Sequence, residues 1–143
     1  MVELRAISSG FAVSPQIAPD DLTAIRDAGF ALVINNRPDG EDAGQPDGAR
    51  IEAAAQAAGL AYRAIPVAGG FSPKQAGEMA DALDAADGPV LAFCRTGTRS
   101  TLLWALARAA RGGDPDAIAA AAAQGGYDIT PVRAAVDALA ATS

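Results

Sequence analysis

Residues 89–100 read Pro89-Val90-Leu91-Ala92-Phe93-Cys94-Arg95-Thr96-Gly97-Thr98-Arg99-Ser100. The apolar run 89–93 predicts a short buried strand, and the leucine-bearing segment from Ser100 to about Ala110 predicts a helix. Cys94 therefore stands between a strand and a helix, at the start of a turn that contains glycine. We expect this turn to be the centre of the functional site.

Strand and helix signals alternate along the rest of the chain. Strands are expected at 4–7, 11–13, 31–35 and 60–67, and helices at 19–28, 49–58, 72–86, 115–124 and 131–141. This order predicts an α/β protein with a single domain over residues 1–143, in which a central, mostly parallel sheet is flanked by helices. Ligands of such folds bind beyond the carboxyl ends of the strands, where the loops 36–41 and 94–99 begin.

Composition excludes several classes of function. The net charge of −6 and the single lysine argue against a nucleic-acid partner. One cysteine allows no intrachain disulfide and no Cys-x-x-Cys motif, and the lack of histidine excludes Ser-His-Asp and Cys-His catalysis. No stretch approaches about 20 apolar residues and no signal peptide is apparent, so we expect a cytoplasmic protein without a membrane partner.

The loop from Cys94 to Arg99 has the features of an anion trap. Its backbone amides would form a concave set of donors, and the helix that follows would point its positive end at the same centre. The expected anion-binding residues are Arg95, Thr96, Gly97 and Thr98. Arg99 would clamp two oxygens of an oxyanion, and Cys94 would act as a thiolate nucleophile. Ser100 would either cap the helix or donate a hydrogen bond to the sulfur.

Several motifs together resemble a known family. They are residues 34–41, Gln45-Pro46, Pro66-Val67, and residues 94–100 with Trp104. The string 91–100 looks like the active-site strand and loop of dual-specificity-type cysteine phosphatases and of rhodanese sulfurtransferases. From about Val13 to Trp104 and beyond, the chain resembles a bacterial phosphatase-like family that is also found fused to metallo-β-lactamase-like domains, in β-lactamase hydrolase-like protein. This resemblance implies a cysteine-phosphatase-like α/β fold.

The cysteine loop departs from the phosphatase pattern in three ways. Four residues separate Cys94 from Arg99, where those phosphatases have five and rhodaneses have four. Phe93 stands where phosphatases commonly carry a histidine. Residues 68–71, which read Ala-Gly-Gly-Phe, occupy the loop where an aspartate general acid usually lies.

The missing acid bears on the type of reaction. Protonation of an alkoxide leaving group is worth about 10²–10⁴ in rate, whereas sulfite or a thiolate departs as an anion without it. Asp39, Glu41 or Asp42 could replace the acid only if their loop folds over the site.

The favoured interpretation is therefore a persulfide sulfurtransferase on a phosphatase-like scaffold. Cys94 would take sulfur from a small anionic or persulfide donor and pass it to cyanide or to an external thiol, a protein thiol included. One alternative is a phosphomonoester hydrolase of the protein-tyrosine-phosphatase type, and a second is a non-catalytic sensor of anions or sulfur species. Neither enzyme mechanism needs a metal or a cofactor. Residues expected to support the site are Asn36, Arg37, Asp39 and Glu41.

Overall fold

The structure is a computed structural model and describes residues 2–143. The strands are β1 (Arg5–Ser8), β2 (Phe11–Ser14), β3 (Leu32–Asn35), β4 (Ala61–Ala64) and β5 (Val90–Phe93). The α-helices are α1 (Leu22–Asp27), α2 (Gly48–Ala58), α3 (Pro73–Ala85), α4 (Thr98–Ala110), α5 (Pro115–Gln124) and α6 (Arg133–Thr142), with 3-10 turns at Pro19–Asp21 and Thr130–Val132. Within this part of the chain, no helix combines the length and the apolar character needed to cross a bilayer.

The strands form one sheet in the order β1-β2-β5-β3-β4. β1 is antiparallel to β2, and the other neighbours are parallel, so the predicted mostly parallel sheet is confirmed. The register aligns Phe93 with Ser14 on β2 and with Asn35 on β3. The carboxyl ends of β2, β3 and β5 therefore lie at one edge of the sheet, and the loops that follow these strands lie side by side.

Helices cover both faces of the sheet, as the strand–helix alternation predicted. Leu91 and Phe93 of β5 pack in the core beneath α1 and α2, whereas Val90 and Ala92 pack in the core beneath α3 to α6. Burial of each large apolar side chain stabilises the fold by roughly 1.5–3 kcal/mol. Trp104 of α4 belongs to the core beneath α3 to α6 and stacks on Phe11 with ring centroids 5.6 Å apart.

The boundaries differ from the predictions at two places that matter for the site. β4 ends at Ala64 rather than at residue 67, although the amides of Ile65 and Val67 still donate to the carbonyls of Asn35 and Asn36. α4 begins at Thr98 rather than at Ser100. α3 begins with a capping box: Ser72 Oγ accepts from the Gln75 amide at 3.1 Å, and Gln75 Oε1 accepts from the Ser72 amide at 2.8 Å.

Candidate active site

Cys94 directly follows β5, and its side chain is fully buried at the carboxyl edge of the sheet. The backbone N–H of Gly97 donates a hydrogen bond to Cys94 Sγ at 3.1 Å. Gly97 has a φ of +90°, a left-handed conformation that glycine adopts without a side-chain penalty. It is also the N-cap of α4, so the positive end of the helix faces the same atom. The N–H of Gly97 and the positive end of α4 thus both place partial positive charge beside the sulfur.

The other polar groups of the loop are arranged around its outer side. The hydroxyl of Thr96 donates to the hydroxyl of Thr98 at 3.0 Å, and the Thr98 amide makes a longer contact of 3.4 Å with Thr96 Oγ1. The side chain of Arg95 is 67% exposed, with Nε 4.0 Å from a carboxylate oxygen of Asp42. Arg95 therefore lies at the mouth of the loop rather than inside it.

Arg99 is held against the neighbouring loop. Its two terminal nitrogens donate to the two carboxylate oxygens of Glu41 at 2.7 and 2.8 Å, and Nη1 also donates to the carbonyl of Val67 at 2.9 Å. The hydrogen bonds that Arg99 donates to Glu41 are the main cause of its raised pKa, and the nearby Cys94 adds to the effect. The Arg99 guanidinium, which was expected to hold an oxyanion, thus holds the carboxylate of Glu41. An incoming anion must share the guanidinium with Glu41 or displace that carboxylate.

Arg37 fastens the loop that carries Glu41. Its guanidinium is buried and donates to Glu41 Oε1 at 2.9 Å, to Asp42 Oδ2 at 2.8 Å and to Gln16 Oε1 at 2.9 Å. Because a buried guanidinium is costly unless its donors are paired, these three bonds fix the loop over the edge of the sheet. Arg37 therefore supports the site by holding the loop that carries Glu41 in place.

Asn36 and Asp39 also support the site through the backbone. The amide N–H of Asn36 donates to the carbonyl of Phe93 at 2.9 Å, and its side chain donates to the carbonyl of Ile65 at 2.9 Å. Asp39 accepts from the amide of Gly48 at the start of α2, at 2.8 Å. Of the four residues predicted to support the site, Glu41 alone is hydrogen-bonded to Arg99, while the others order the loop around it.

The loop does fold over the site, but its carboxylates are already engaged in hydrogen bonds. Hydrogen bonds from Arg99 and Arg37 lower the pKa of Glu41 from 4.5 to about 2. Asp42 is paired with Arg37 and Asp39 with the amide of α2. Glu41 is therefore ionised at neutral pH and is unsuited to donate a proton in this arrangement.

Replacing Glu41 with glutamine should remove part of the acid sensitivity of the fold. Because the folded state lowers the pKa of Glu41, the carboxylate stabilises the protein above about pH 4.5, and this contribution is lost as pH falls towards 2. The difference in free energy of unfolding between wild type and Glu41→Gln should shrink over that interval in urea titrations. Glu78→Gln, at an exposed position of α3, is the control. A difference that stays constant with pH would contradict the ion pairing.

The prediction for Ser100 is wrong in both of its forms. α4 begins two residues earlier, so Ser100 lies inside its first turn and does not cap it. The hydroxyl is fully buried and, within residues 2–143, has no hydrogen-bond partner, so it makes no bond to Cys94. The early helix start follows from Gly97, whose left-handed φ allows the helix to begin directly after it.

Two residues of the site were not identified from the sequence. Gln16 follows β2 at the same sheet edge, and its position after a strand could have indicated it. Tyr127 lies 31 positions from Thr96 in sequence, yet its hydroxyl donates to the carbonyl of Thr96 at 3.0 Å. No local pattern links it to the cysteine loop.

Gly97→Ala should destabilise the protein more than an equivalent change elsewhere. A Cβ at Gly97 would overlap the hydroxyl of Tyr127, in addition to the strain of its left-handed φ. Gly126 has a φ of +94° with open space around it, so Gly126→Ala isolates the strain alone. We expect a loss of about 1 kcal/mol for Gly126→Ala and of about 2 kcal/mol or more for Gly97→Ala in urea unfolding. Equal losses would show that Tyr127 does not pack as described.

Comparison with known proteins places this geometry in a family. The sequence model of the phosphatase-like domain of β-lactamase hydrolase-like protein matches residues 3–111. The β-lactamase hydrolase-like protein of Xylella fastidiosa is 37% identical over 101 residues, which is 70% of this chain and 23% of that protein. The chain thus spans about a quarter of the length of the curated relatives that it matches.

Solved structures share the fold. A candidate phosphatase of Neisseria meningitidis is 33% identical, with a TM-score of 0.81 that covers 94% of this chain and 96% of that one. The active form of the protein Tk-PTP is 19% identical, with a TM-score of 0.69 over 98% of this chain and 97% of that one, and shows the fold alone. The fold is thus cysteine-phosphatase-like, and the chain belongs to the family of the phosphatase-like domain of β-lactamase hydrolase-like protein.

Proposed function

We propose that the protein is a persulfide sulfurtransferase in which Cys94 carries the transferred sulfur. The observation that carries this proposal is the pairing of Glu41 with Arg99 through two hydrogen bonds, which lowers the pKa of that carboxyl to about 2. The carboxylate nearest the reactive loop thus holds no proton for a leaving group. Transfer of sulfur from a donor that releases sulfite or a thiolate needs no such proton.

The size of the loop supports the same proposal. Four residues separate Cys94 from Arg99, and the amide of Gly97 lies 3.1 Å from the sulfur atom. A terminal persulfide sulfur is one atom with a single charge, whereas a phosphoryl group presents three oxygens that each require donors. Because Cys94 is fully buried, the loop favours the smaller group.

In the first half-reaction, the Cys94 thiolate attacks the outer sulfur of a donor such as thiosulfate. A sulfur–sulfur bond forms at Cys94 while the sulfur–sulfur bond of the donor breaks, and sulfite departs with the electron pair. The products are a Cys94 persulfide anion and sulfite, with no net change in charge. The amide of Gly97 and the positive end of α4 stabilise the persulfide, and Arg99 stabilises the departing anion.

In the second half-reaction, an acceptor nucleophile attacks the terminal sulfur of the persulfide. Cyanide gives thiocyanate, and a thiolate, on a small molecule or on a protein, gives a new persulfide. The bond between the two sulfurs breaks and its electron pair returns to Cys94 as the thiolate. No oxidant or reductant is consumed beyond the donor and the acceptor themselves.

Phosphomonoester hydrolysis is the second candidate, favoured by the fold shared with the Neisseria meningitidis candidate phosphatase. Cys94 would then attack phosphorus, and water would cleave the thiophosphate intermediate. The leaving alkoxide would require a proton that Glu41 does not hold at neutral pH. We therefore expect phosphate release to be much slower than sulfur transfer.

Steady-state turnover distinguishes these candidates. With purified protein, thiocyanate formation from thiosulfate and cyanide is measured beside release of inorganic phosphate from an alkyl phosphate ester, whose alkoxide leaving group requires a proton. Repeated turnover of thiocyanate, with phosphate release at least about 10²-fold slower, is the expected result. Faster phosphate release would replace the proposal with the hydrolase. Uptake of one equivalent of sulfur without turnover would indicate a sensor instead.

A further inference from the structure

A continuous set of hydrogen bonds runs from the surface of β1 to the buried sulfur. Arg5 Nη1 donates to the hydroxyl oxygen of Tyr127 at 3.3 Å, and this hydroxyl donates to the carbonyl of Thr96 at 3.0 Å. The peptide bond that begins with this carbonyl ends with the N–H of Gly97. That N–H is the group which donates to Cys94 Sγ at 3.1 Å.

One planar peptide unit thus links Tyr127 to Cys94. A trans peptide points its C=O and its N–H in opposite directions, so fixing one end fixes the other. A hydrogen bond accepted at the carbonyl also polarises the N–H towards stronger donation. We propose that Tyr127 is a positioning residue, which holds the Thr96–Gly97 peptide so that the Gly97 N–H points at the Cys94 sulfur.

The environment of Tyr127 suits a permanent donor. The residue is 8% exposed, and burial raises the pKa of its phenol, so the hydroxyl keeps its proton at neutral pH. The guanidinium of Arg5 lies 5.5 Å from the centre of the Tyr127 ring and donates to its oxygen. A cation at the phenol oxygen strengthens the bond that the phenol donates.

Few charged groups lie near this relay, the hydrogen-bonded path from Arg5 through Tyr127 and the Thr96–Gly97 peptide to Cys94. Arg5 is paired with Glu3 through Nε at 3.1 Å and Nη2 at 2.6 Å. Arg99, whose pKa the nearby Cys94 helps to raise, is bonded to Glu41. None of these groups contacts the Thr96 carbonyl in place of Tyr127, so the loss of the phenol would leave that carbonyl without its side-chain partner.

Tyr127 reaches the loop because the chain continues beyond the family match. That match ends at residue 111, and Tyr127 follows α5, which packs on β1 beside Arg5. The amide of Tyr127 donates to the carbonyl of Ala122 at 2.9 Å, which ties the residue to the end of α5. The carboxy-terminal helices therefore contribute to the order of the reactive loop as well as to the core.

The test is the pH at which Cys94 ionises in Tyr127→Phe. Thiolate absorbance is recorded against pH as the difference between each variant and the same variant with Cys94→Ser, which removes the signal of tyrosinate. Loss of the relay should raise the midpoint by about half a pH unit, equivalent to about a threefold smaller thiolate fraction below the midpoint. Tyr62→Phe is the matched control, because it removes another hydrogen-bonded tyrosine hydroxyl, which accepts from Asn35 at 3.0 Å. Its midpoint should equal that of the wild type.

An unchanged midpoint in a folded Tyr127→Phe protein would overturn the inference. If this variant loses its cooperative thermal transition, Arg5→Met carries the test, with a smaller shift in the same direction expected and no shift contradicting the relay. The inference rests on Cys94 as the nucleophile of the proposed function. Since the readout is ionisation without substrate, it stands or fails separately from sulfur transfer.

Discussion

Cys94→Ser is expected to lower thiocyanate formation from thiosulfate and cyanide by at least about 10³-fold. A serine hydroxyl does not ionise near neutral pH and cannot hold a transferable sulfur. The chain has a single cysteine, so no other thiol can take over the first half-reaction. The measurement is the initial rate with both substrates near saturation, beside the wild type.

A folding control is needed because Cys94 is fully buried. Serine adds a buried hydroxyl, whereas Cys94→Ala removes the sulfur without adding a polar group. Both variants should keep a cooperative thermal transition and both should be inactive. Retention of more than about a tenth of the activity by either folded variant would exclude Cys94 as the sulfur carrier.

Arg99→Lys is expected to lower the same rate by about 10²-fold while the protein stays folded. Lysine keeps the positive charge but lacks the planar fork that donates to two oxygens at once. In the structure, this fork is bonded to Glu41 and the carbonyl of Val67. The departing sulfite would therefore lose a paired donor even though the charge of the site is unchanged.

Arg111→Lys is the matched control for this substitution. The guanidinium of Arg111 also contacts two carboxylates, those of Asp81 and Asp84. These carboxylates belong to α3 and are exposed. We expect wild-type turnover for Arg111→Lys. Equal effects of the two substitutions would show that the loss at Arg99 is structural and not a loss of anion stabilisation.

Much of the fold could be predicted from local patterns. The apolar run before Cys94, the capping box at Ser72 and the glycine that ends α2 each act within a few residues, and the structure contains all three. The position of the loop after Asn35 beside the cysteine loop also follows from the rule that parallel strands end at one edge.

The parts that could not be predicted depend on contacts across the chain. The residue type of Glu41 suggested an acid, but its lowered pKa depends on hydrogen bonds from Arg99, 58 positions away, and from Arg37. Ser100 was placed by a helix boundary that was two residues late. Tyr127 reaches Thr96 only because α5 packs on β1, an arrangement that no short motif encodes.

The most direct test of sulfur transfer through Cys94 is the intact mass of the reduced protein after incubation with thiosulfate. The wild type should gain one sulfur atom, and cyanide should remove it with the release of one equivalent of thiocyanate. Cys94→Ser should gain nothing. A wild-type protein that gains no sulfur, although its thiol can be alkylated, would contradict the account and direct attention to phosphomonoesters.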